Sequence, residues 1–218
     1  MPLSEIIHSD GALIGLWEMN ETEQELLALL KDATCYQSDL NQFVSQKRRI
    51  EFLTVRVMLE QLLNQDAIIG YYPSGKPYLK GSEFKISISH TNGYAAIMLH
   101  SHRTVAIDIE QRAPKVMRLQ SKFMNEDEII GTDISAPLDY ALICWSAKET
   151  LFKMIDQEEI DFKKHLHLLQ INTIKSEGSF TGIFEKNETR RIFELHYRST
   201  HSYVLTWSTD LKELILYS

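Results

Sequence analysis

The chain has 218 residues, of which 44% are hydrophobic and 24% charged, and its formal net charge is −7. This is the composition of a globular protein with a sizeable core. The acidic balance argues against nucleic acid as the main partner, because proteins that bind phosphate backbones usually carry a basic surplus. Cys35 and Cys144 are far apart, which offers no zinc site or disulfide framework and fits a reducing compartment. The apolar run at residues 12–17 is too short to span a membrane, so we expect a cytoplasmic protein.

The first part of the chain is predicted to contain two helices, at residues 21–31 and 39–64, with Asp39 as a candidate cap of the second. A turn-rich segment, YYPSGKPYLKG, follows. The segment ISISHTNGYAAIML alternates around a central Asn-Gly pair, which predicts a β-hairpin. TVAIDIE is predicted to add a third strand, giving an antiparallel meander.

The second part of the chain is predicted to begin with a helical region from Pro114 to about Ile130 and a helix around Glu149. From about residue 166 the pattern is that of β-strands: LHLLQINTIK, SFTGIFEK, RRIFELHYR and SYVLTWST. Each half therefore has helices and a small antiparallel sheet. We expect an α+β fold with a boundary near residue 104, between domains at residues 1–104 and 105–218.

Two carboxylates lie on one face of the predicted strand VAIDIE. Alternation places Val105, Ile107 and Ile109 on one face, and Asp108 and Glu110 together on the other. Carboxylates that repel each other in a partly buried site are neutralised by a divalent cation, and oxygen ligands favour Mg²⁺, with Mn²⁺ as an alternative. A solvated polar strand face is the other interpretation of this pair.

A third carboxylate, Glu149, interrupts the apolar stripe of its helix between Trp145 and Phe152. A charge on an inward face needs a partner. Lys153 at i+4 is one candidate, and a metal shared with the strand carboxylates is the other. In the second case, Lys148 and Lys153 would face substrate phosphates.

Other polar residues give weaker signals. Ser89 and His90 are neighbours on a strand and point to opposite faces, so His90 is badly placed to activate Ser89 as a nucleophile. A structural histidine and a phosphate-contacting histidine both remain open. The GKP turn and the basic run KRRIEFLTVR are compatible with solvated surfaces, although arginines in such a run could also bind phosphate.

Taken in chain order, GKPYL, ISISHTNGYAAIML, VAIDIE, FMNEDE and WSAKETLFK resemble the motifs of the 4′-phosphopantetheinyl transferase superfamily. The length and the upstream basic helix resemble its larger, Sfp-type branch. The resemblance implies two similar α/β halves related by a pseudo-twofold axis. The N-terminal half would contact the coenzyme A nucleotide, and the C-terminal half would hold the metal and the catalytic carboxylates.

The resemblance also implies a reaction: the 4′-phosphopantetheine arm of coenzyme A is moved to a serine of an apo acyl- or peptidyl-carrier protein, with Mg²⁺, releasing 3′,5′-ADP. The carrier protein and coenzyme A would be the partners of a monomeric enzyme. A coenzyme A-binding homologue that has lost transfer is one alternative, and an unrelated Mg²⁺-dependent phosphohydrolase is another.

Site residues follow from the resemblance by position. Asp108, Glu110 and Glu149 match the metal ligands, and Lys153 and Lys148 match lysines that face the transferring phosphate and the pyrophosphate. Glu128, with Glu126 as runner-up, matches a residue described as a base, and Glu149 and a metal-bound water are the other candidate bases. Coenzyme A contacts would come from the following residues: Lys76, Pro77, Ser89, His90, and a 3′-phosphate clamp of Arg49 and Arg56 with Arg48 as a competitor.

One residue departs from the pattern, because Ala106 stands where the strand motif usually has glycine. Its methyl group lies on the Asp108 face and would trim space beside the metal. The segment QRAPKVMRLQSKF has basic residues among apolar ones, and we expect it to dock an acidic carrier protein.

Overall fold

The structure is a computed structural model, and it describes residues 3–65, 67–130, 135–155, 157–169, 171 and 174–210. The chain divides into two units, Met1–Ser101 and His102–Ser218. In each unit antiparallel sheets pack on helices, so the α+β class is confirmed. The pseudo-twofold relation between the units stays a prediction.

The first unit has a four-stranded antiparallel sheet and a short two-stranded one. Its outer pair of strands was not predicted: residues 12–17, too short for a membrane span, belong to a buried strand. The predicted hairpin is confirmed, with Gly93 in the left-handed conformation at φ 81°. The strands are β1 (Glu5–Ser9), β2 (Ala12–Glu18), β3 (Ile69–Tyr71), β4 (Pro77–Leu79), β5 (Lys85–Thr91) and β6 (Tyr94–His100), in the orders β1-β2-β6-β5 and β3-β4.

The helices of the first unit are α1 (Glu23–Leu29), α2 (Gln37–Leu40) and α3 (Gln46–Leu63). The single helix predicted over 39–64 is wrong at its start, since the chain leaves helical geometry after α2 and α3 begins only after Ser45. Asp39 therefore lies inside α2 and does not cap α3. The buried side of α3 packs on β2 and β6. Gly15 permits this close packing, because a Cβ there would lie 2.9 Å from Leu62 Cδ1.

The second unit has a five-stranded antiparallel sheet in the order β7-β11-β10-β9-β8. Here the predicted meander is wrong: β7 pairs with the last strand, β11, and Asp108 lies opposite Thr206. The four predicted C-terminal strands are confirmed, the first of them over Leu166–Leu169 only, and residues 170, 172 and 173 of its predicted range lie outside the described residues. The strands are β7 (Val105–Gln111), β8 (Leu166–Leu169), β9 (Glu177–Lys186), β10 (Thr189–Ser199) and β11 (Tyr203–Thr209).

The helices of the second unit are α4 (Gln120–Phe123), α5 (Glu126–Ile130), α6 (Pro137–Ile155) and α7 (Phe162–His165). The region predicted as helical from Pro114 is broken into a 3₁₀ turn at Pro114–Arg118, α4 and α5. The long helix α6 lies against β7, β10 and β11 and forms the centre of the apolar core. No helix in the described ranges is long and apolar enough to cross a membrane.

Candidate active site

Hydroxyl groups fix the position of α6 on the sheet. Thr206 Oγ1, on β11, lies 2.9 Å from Ser146 Oγ and 2.6 Å from Thr150 Oγ1. The Ser146 hydroxyl also donates to the backbone oxygen of Asp108 at 3.3 Å. All three hydroxyl side chains are fully buried, and buried polar groups require such partners. These bonds leave α6 little freedom to slide or rotate against β7.

A row of side chains one helical turn apart, Trp145, Glu149 and Lys153, borders the hydroxyl-bearing face of α6. At one end Trp145 Nε1 donates to Glu110 Oε1 at 2.7 Å. At the other end Lys153 Nζ donates to Asp108 Oδ1 at 2.8 Å and to the Ile107 backbone oxygen at 2.9 Å. The row therefore runs along β7 from Glu110 back toward Ile107, with Glu149 between its ends.

Glu149 lies in the electrostatic field of the two strand carboxylates. Burial first, and then the negative charges of Asp108 and, more weakly, Glu110, raise the pKa of Glu149 to about 7, while Lys153 acts in the opposite direction. Asp108 is only 4% exposed, so water screens its charge poorly. Asp108 and Glu110 therefore both act electrostatically on Glu149 in the folded chain.

The donor chemistry of this group suits a hard divalent cation, because three carboxylates with a single nearby ammonium retain excess negative charge. Over the described ranges, however, no three His, Cys, Asp or Glu side chains are already arranged to hold a metal ion. Asp108 is instead bonded to Lys153, and Glu110 to Trp145. The residue types fit Mg²⁺, and the metal-ligand assignment of Asp108, Glu110 and Glu149 stays a prediction.

Lys148 occupies a different position from the predicted one. Its side chain is fully buried, and Nζ lies 2.7 Å from Glu128 Oε2. The same ammonium donates to the backbone oxygens of Phe123 and Phe162 at 2.6 and 2.9 Å. Burial lowers the pKa of Lys148, against the attraction of Glu128. An ammonium with three short bonds in the interior is poorly available to a pyrophosphate, which argues against the role expected for Lys148, and that role stays a prediction.

Glu128 is the other half of this buried pair and is 2% exposed. Its carboxylate accepts the backbone N–H groups of Asn125 at 2.9 Å and Leu168 at 3.0 Å. The Asn125 side chain accepts the Glu128 N–H in return, which is a reciprocal cap at the start of α5. Glu128 thus ties α5, β8 and α6 together, and the structure does not support it as a base. Glu126 lies exposed in the same turn.

Two of the predicted clamp arginines are engaged within the first unit. Arg49 forms a two-pronged ion pair with Glu23, with Nε 2.8 Å from Oε2, and Nη1 donates to the Leu40 backbone oxygen at 2.7 Å. Arg56 is 6% exposed, and its Cζ lies 3.4 Å from the centre of the Phe52 ring. Both guanidinium groups have structural partners, which argues against the predicted clamp.

Three basic side chains lie around Glu51, a 7% exposed carboxylate on α3. Arg48 Nη1, Lys47 Nζ and His90 Nδ1 lie 3.6, 3.8 and 3.8 Å from its oxygens. Arg48 and Lys47 are largely exposed. Arg48 was predicted only as a competitor for the clamp, and Glu51 was not singled out from the sequence.

The remaining predicted coenzyme A contacts lie at strand ends of the first unit. Pro77 begins β4, and Lys76 closes the preceding turn by accepting the Tyr72 N–H at 2.9 Å. Ser89 on β5 is buried while its neighbour His90 is exposed, as expected for adjacent residues of a strand. This arrangement agrees with the argument against Ser–His catalysis.

Two features of the site were missed. Trp145 was counted as an apolar stripe residue although its indole N–H contacts Glu110, and the hydroxyls of Ser146, Thr150 and Thr206 were given no part. The available signal for these contacts was a serine and a threonine four residues apart on a largely apolar helix. Ala106 is fully buried within the apolar core of the unit.

Comparison with known proteins gives one positive result. Residues 104–208 match the family model of the 4′-phosphopantetheinyl transferase superfamily, a match that spans just under half of the chain. No curated protein sequence gives a significant match. The matched range begins just before β7, ends one residue before the end of β11 and contains the whole α6–β7 group. Residues 104–208 of this chain are therefore a domain of the 4′-phosphopantetheinyl transferase superfamily.

Proposed function

We propose that the protein transfers the 4′-phosphopantetheine arm of coenzyme A to a serine of an apo acyl- or peptidyl-carrier protein. One observation supports this most strongly: the superfamily match includes Asp108, Glu110, Glu149 and Lys153, and these four residues come together on β7 and α6. Folding alone does not require these charged side chains beside β7, because uncompensated charge near a core costs free energy.

In the proposed reaction the serine oxygen attacks the β-phosphorus of the coenzyme A pyrophosphate. The bond from that phosphorus to the bridging oxygen breaks, and 3′,5′-ADP leaves. Asp108, Glu110 and Glu149 would hold Mg²⁺, which when bound supplies positive charge to the pyrophosphate. Lys153, whose side chain is 28% exposed, would direct its ammonium to a phosphoryl oxygen while remaining beside Asp108.

The proton of the serine hydroxyl must go to a base. Glu128 is a poor candidate because its carboxylate is buried and bonded to Lys148 and two backbone N–H groups. Of the other carboxylates proposed from the sequence, Glu126 is exposed on α5, whereas Glu149 lies in the electrostatic field of Asp108 and Glu110. We therefore assign Glu149 as the base in this proposal.

For the coenzyme A phosphate contacts in the first unit we propose Arg48 and His90, with Lys47 added, in place of Arg49 and Arg56. The reason is availability: Arg48 and Lys47 expose 64% and 61% of their side chains, and their contacts to Glu51 are long. Arg49 would have to leave Glu23, and Arg56 would have to leave its place on Phe52. Lys76, Pro77 and Ser89 remain proposed contacts to the nucleotide.

The function is tested by intact-protein mass spectrometry of an apo carrier protein incubated with this protein, coenzyme A and Mg²⁺. We expect the carrier to gain the mass of one phosphopantetheine arm. The gain should disappear with EDTA and with a carrier whose acceptor serine is replaced by alanine. Formation of 3′,5′-ADP in equal amount would complete the balance of the reaction.

Other outcomes would favour the alternatives. Coenzyme A binding without any mass gain on several different carriers would indicate a homologue that has lost transfer. Release of inorganic phosphate from simple esters would indicate a phosphohydrolase. If the protein neither binds coenzyme A nor transfers the arm, the proposal is overturned.

The proposed docking surface for the carrier is the segment 111–123. Lys115, Arg118 and Lys122 are exposed on it, whereas Arg112 is paired with Asp139 of α6. Val116 and Phe123 are buried beneath. The segment thus offers a locally basic surface on an acidic chain, which suits an acidic partner.

Charge reversal by Arg118→Glu is expected to raise the KM for the carrier about tenfold, equivalent to about 1.4 kcal/mol of lost binding. The KM for coenzyme A should not change, because the smaller substrate does not need this surface. Steady-state kinetics with each substrate varied in turn measures both constants. Arg190→Glu is the matched control, since Arg190 is an exposed arginine on β10. Equal effects on the two KM values, or an equal effect of the control, would contradict the docking assignment.

A further inference from the structure

The hydrogen bond from Trp145 to Glu110 links helix α6 to one of the proposed metal ligands. The two residues are 35 positions apart in sequence, and their atoms Nε1 and Oε1 are separated by 2.7 Å. An indole nitrogen is a donor only, so its direction toward this carboxylate is unambiguous. Trp145, which the sequence pattern indicates as an apolar stripe residue, therefore also makes a polar contact.

The Trp145 ring contacts two other aromatic rings. Its centre lies 5.1 Å from the ring of Phe123, at an interplanar angle of 63°, and 5.8 Å from the ring of Phe162. The side chain also lines a cavity of about 600 Å³ together with Leu119, Lys122 and Ile160. A ring fixed in this way presents its N–H in one direction, so Glu110 has a rigid donor and not a mobile one.

Glu110 needs an orienting contact more than Asp108 does. Asp108 lies in the middle of β7 and is almost fully buried, whereas Glu110 is near the end of the strand, is partly exposed and has one more rotatable bond. A carboxylate has two oxygens and about four acceptor sites, so accepting one N–H does not use up its capacity for a cation. Groups that hold a metal ligand by its remaining acceptor sites commonly raise metal affinity 10- to 100-fold.

We propose that Trp145 is a positioning residue, which orients Glu110 for a divalent cation through its indole N–H. The inference rests on the proposed function, because it takes Glu110 as a metal ligand. Trp145 itself touches neither substrate nor metal in this proposal. Its effect is therefore expected in the metal affinity, before any effect on the chemical step.

The first test is Trp145→Phe, which keeps an aromatic ring between Phe123 and Phe162 and removes only the donor and part of the ring area. Isothermal titration with Mg²⁺, in the presence of saturating coenzyme A, is expected to show a Kd for Mg²⁺ raised about tenfold or more. The matched control is Trp17→Phe. Trp17 Nε1 donates to Glu21 at 2.8 Å in the first unit, so the same chemical change is made at a Trp–Glu pair with no proposed role. The control should change the Kd less than twofold.

A second measurement uses the wild-type chain and does not depend on the variant folding. The sequence has three tryptophans, and the loss of one ¹H–¹⁵N indole signal each in Trp17→Phe and Trp207→Phe assigns the third to Trp145. Under the same coenzyme A conditions, Mg²⁺ should move the Trp145 signal along the binding isotherm, and by more than the Trp17 signal.

The outcomes separate this inference from the function on which it rests. A Kd within twofold of wild type in Trp145→Phe, or a Trp145 signal that does not respond while wild type binds Mg²⁺, would overturn the inference alone. Absence of Mg²⁺ binding by wild type would overturn both the inference and the metal assignment. Carrier modification is measured separately and can succeed in either case.

Discussion

Lys148→Met is expected to lower the free energy of unfolding by about 3–5 kcal/mol. The substitution leaves Glu128 ionised in the interior, and it also removes the donor to the backbone oxygens of Phe123 and Phe162. Breaking one side of a buried ion pair costs more than the pair contributes, because the remaining charge is left without compensation. Urea unfolding followed by far-ultraviolet circular dichroism measures the change.

The control for this prediction is Lys115→Met, the same substitution at an exposed lysine of the same unit, which should change stability by less than about 0.5 kcal/mol. Lys148→Met combined with Glu128→Gln should cost less than the sum of the two single changes, since the pair is then neutralised together. A folded Lys148→Met protein of wild-type stability with a much reduced kcat would contradict the structural role. It would restore Lys148 as a pyrophosphate contact.

Patterns that depend on near neighbours were predicted well. The alternation on either side of Asn92 and Gly93 is decided by the turn and by the pleat of the strands, and both are local. The same is true of the four strands after residue 166. Asp108 and Glu110 were placed on one face of β7 by alternation alone, and α6 meets that face through Trp145 and Lys153.

Features that depend on distant segments were not predicted. β7 follows β6 closely in the chain, yet it pairs with β11, and no local pattern distinguishes these two choices. Lys148 and Glu149 are neighbours, about 100° apart around the helix, and both were assigned to the phosphates. Which of them turns inward is decided by what packs on α6. For Lys148 that partner is Glu128, whose position at the start of α5 is supported by its reciprocal hydrogen bonds with Asn125.

Glu149→Gln is expected to raise the free energy of unfolding by about 1–3 kcal/mol at pH 8 in EDTA, while carrier modification falls at least a hundredfold. The pKa of Glu149 is raised in the folded protein from its usual value of 4.5 to about 7, by burial first and then by Asp108. Above this pH the Glu149 carboxylate is ionised in the folded chain, where ionisation costs more free energy than in the unfolded chain. The neutral amide removes this penalty. Thermal and urea unfolding, with the mass-spectrometric transfer assay, measure both effects on one preparation.

The direction of the stability change distinguishes a binding carboxylate from a structural one. If Glu149 served mainly as the ion-pair partner of Lys153, its loss would destabilise the protein, and that result would contradict the proposed role. Glu126→Gln, an exposed change on α5, should alter neither stability nor transfer. With Mg²⁺ and coenzyme A present, wild type should be more stable than Glu149→Gln, because wild type gains stability from the bound ligands and the variant does not. Together, a less stable empty protein and a more stable loaded one would support the assignment of Glu149 as a ligand of the cation.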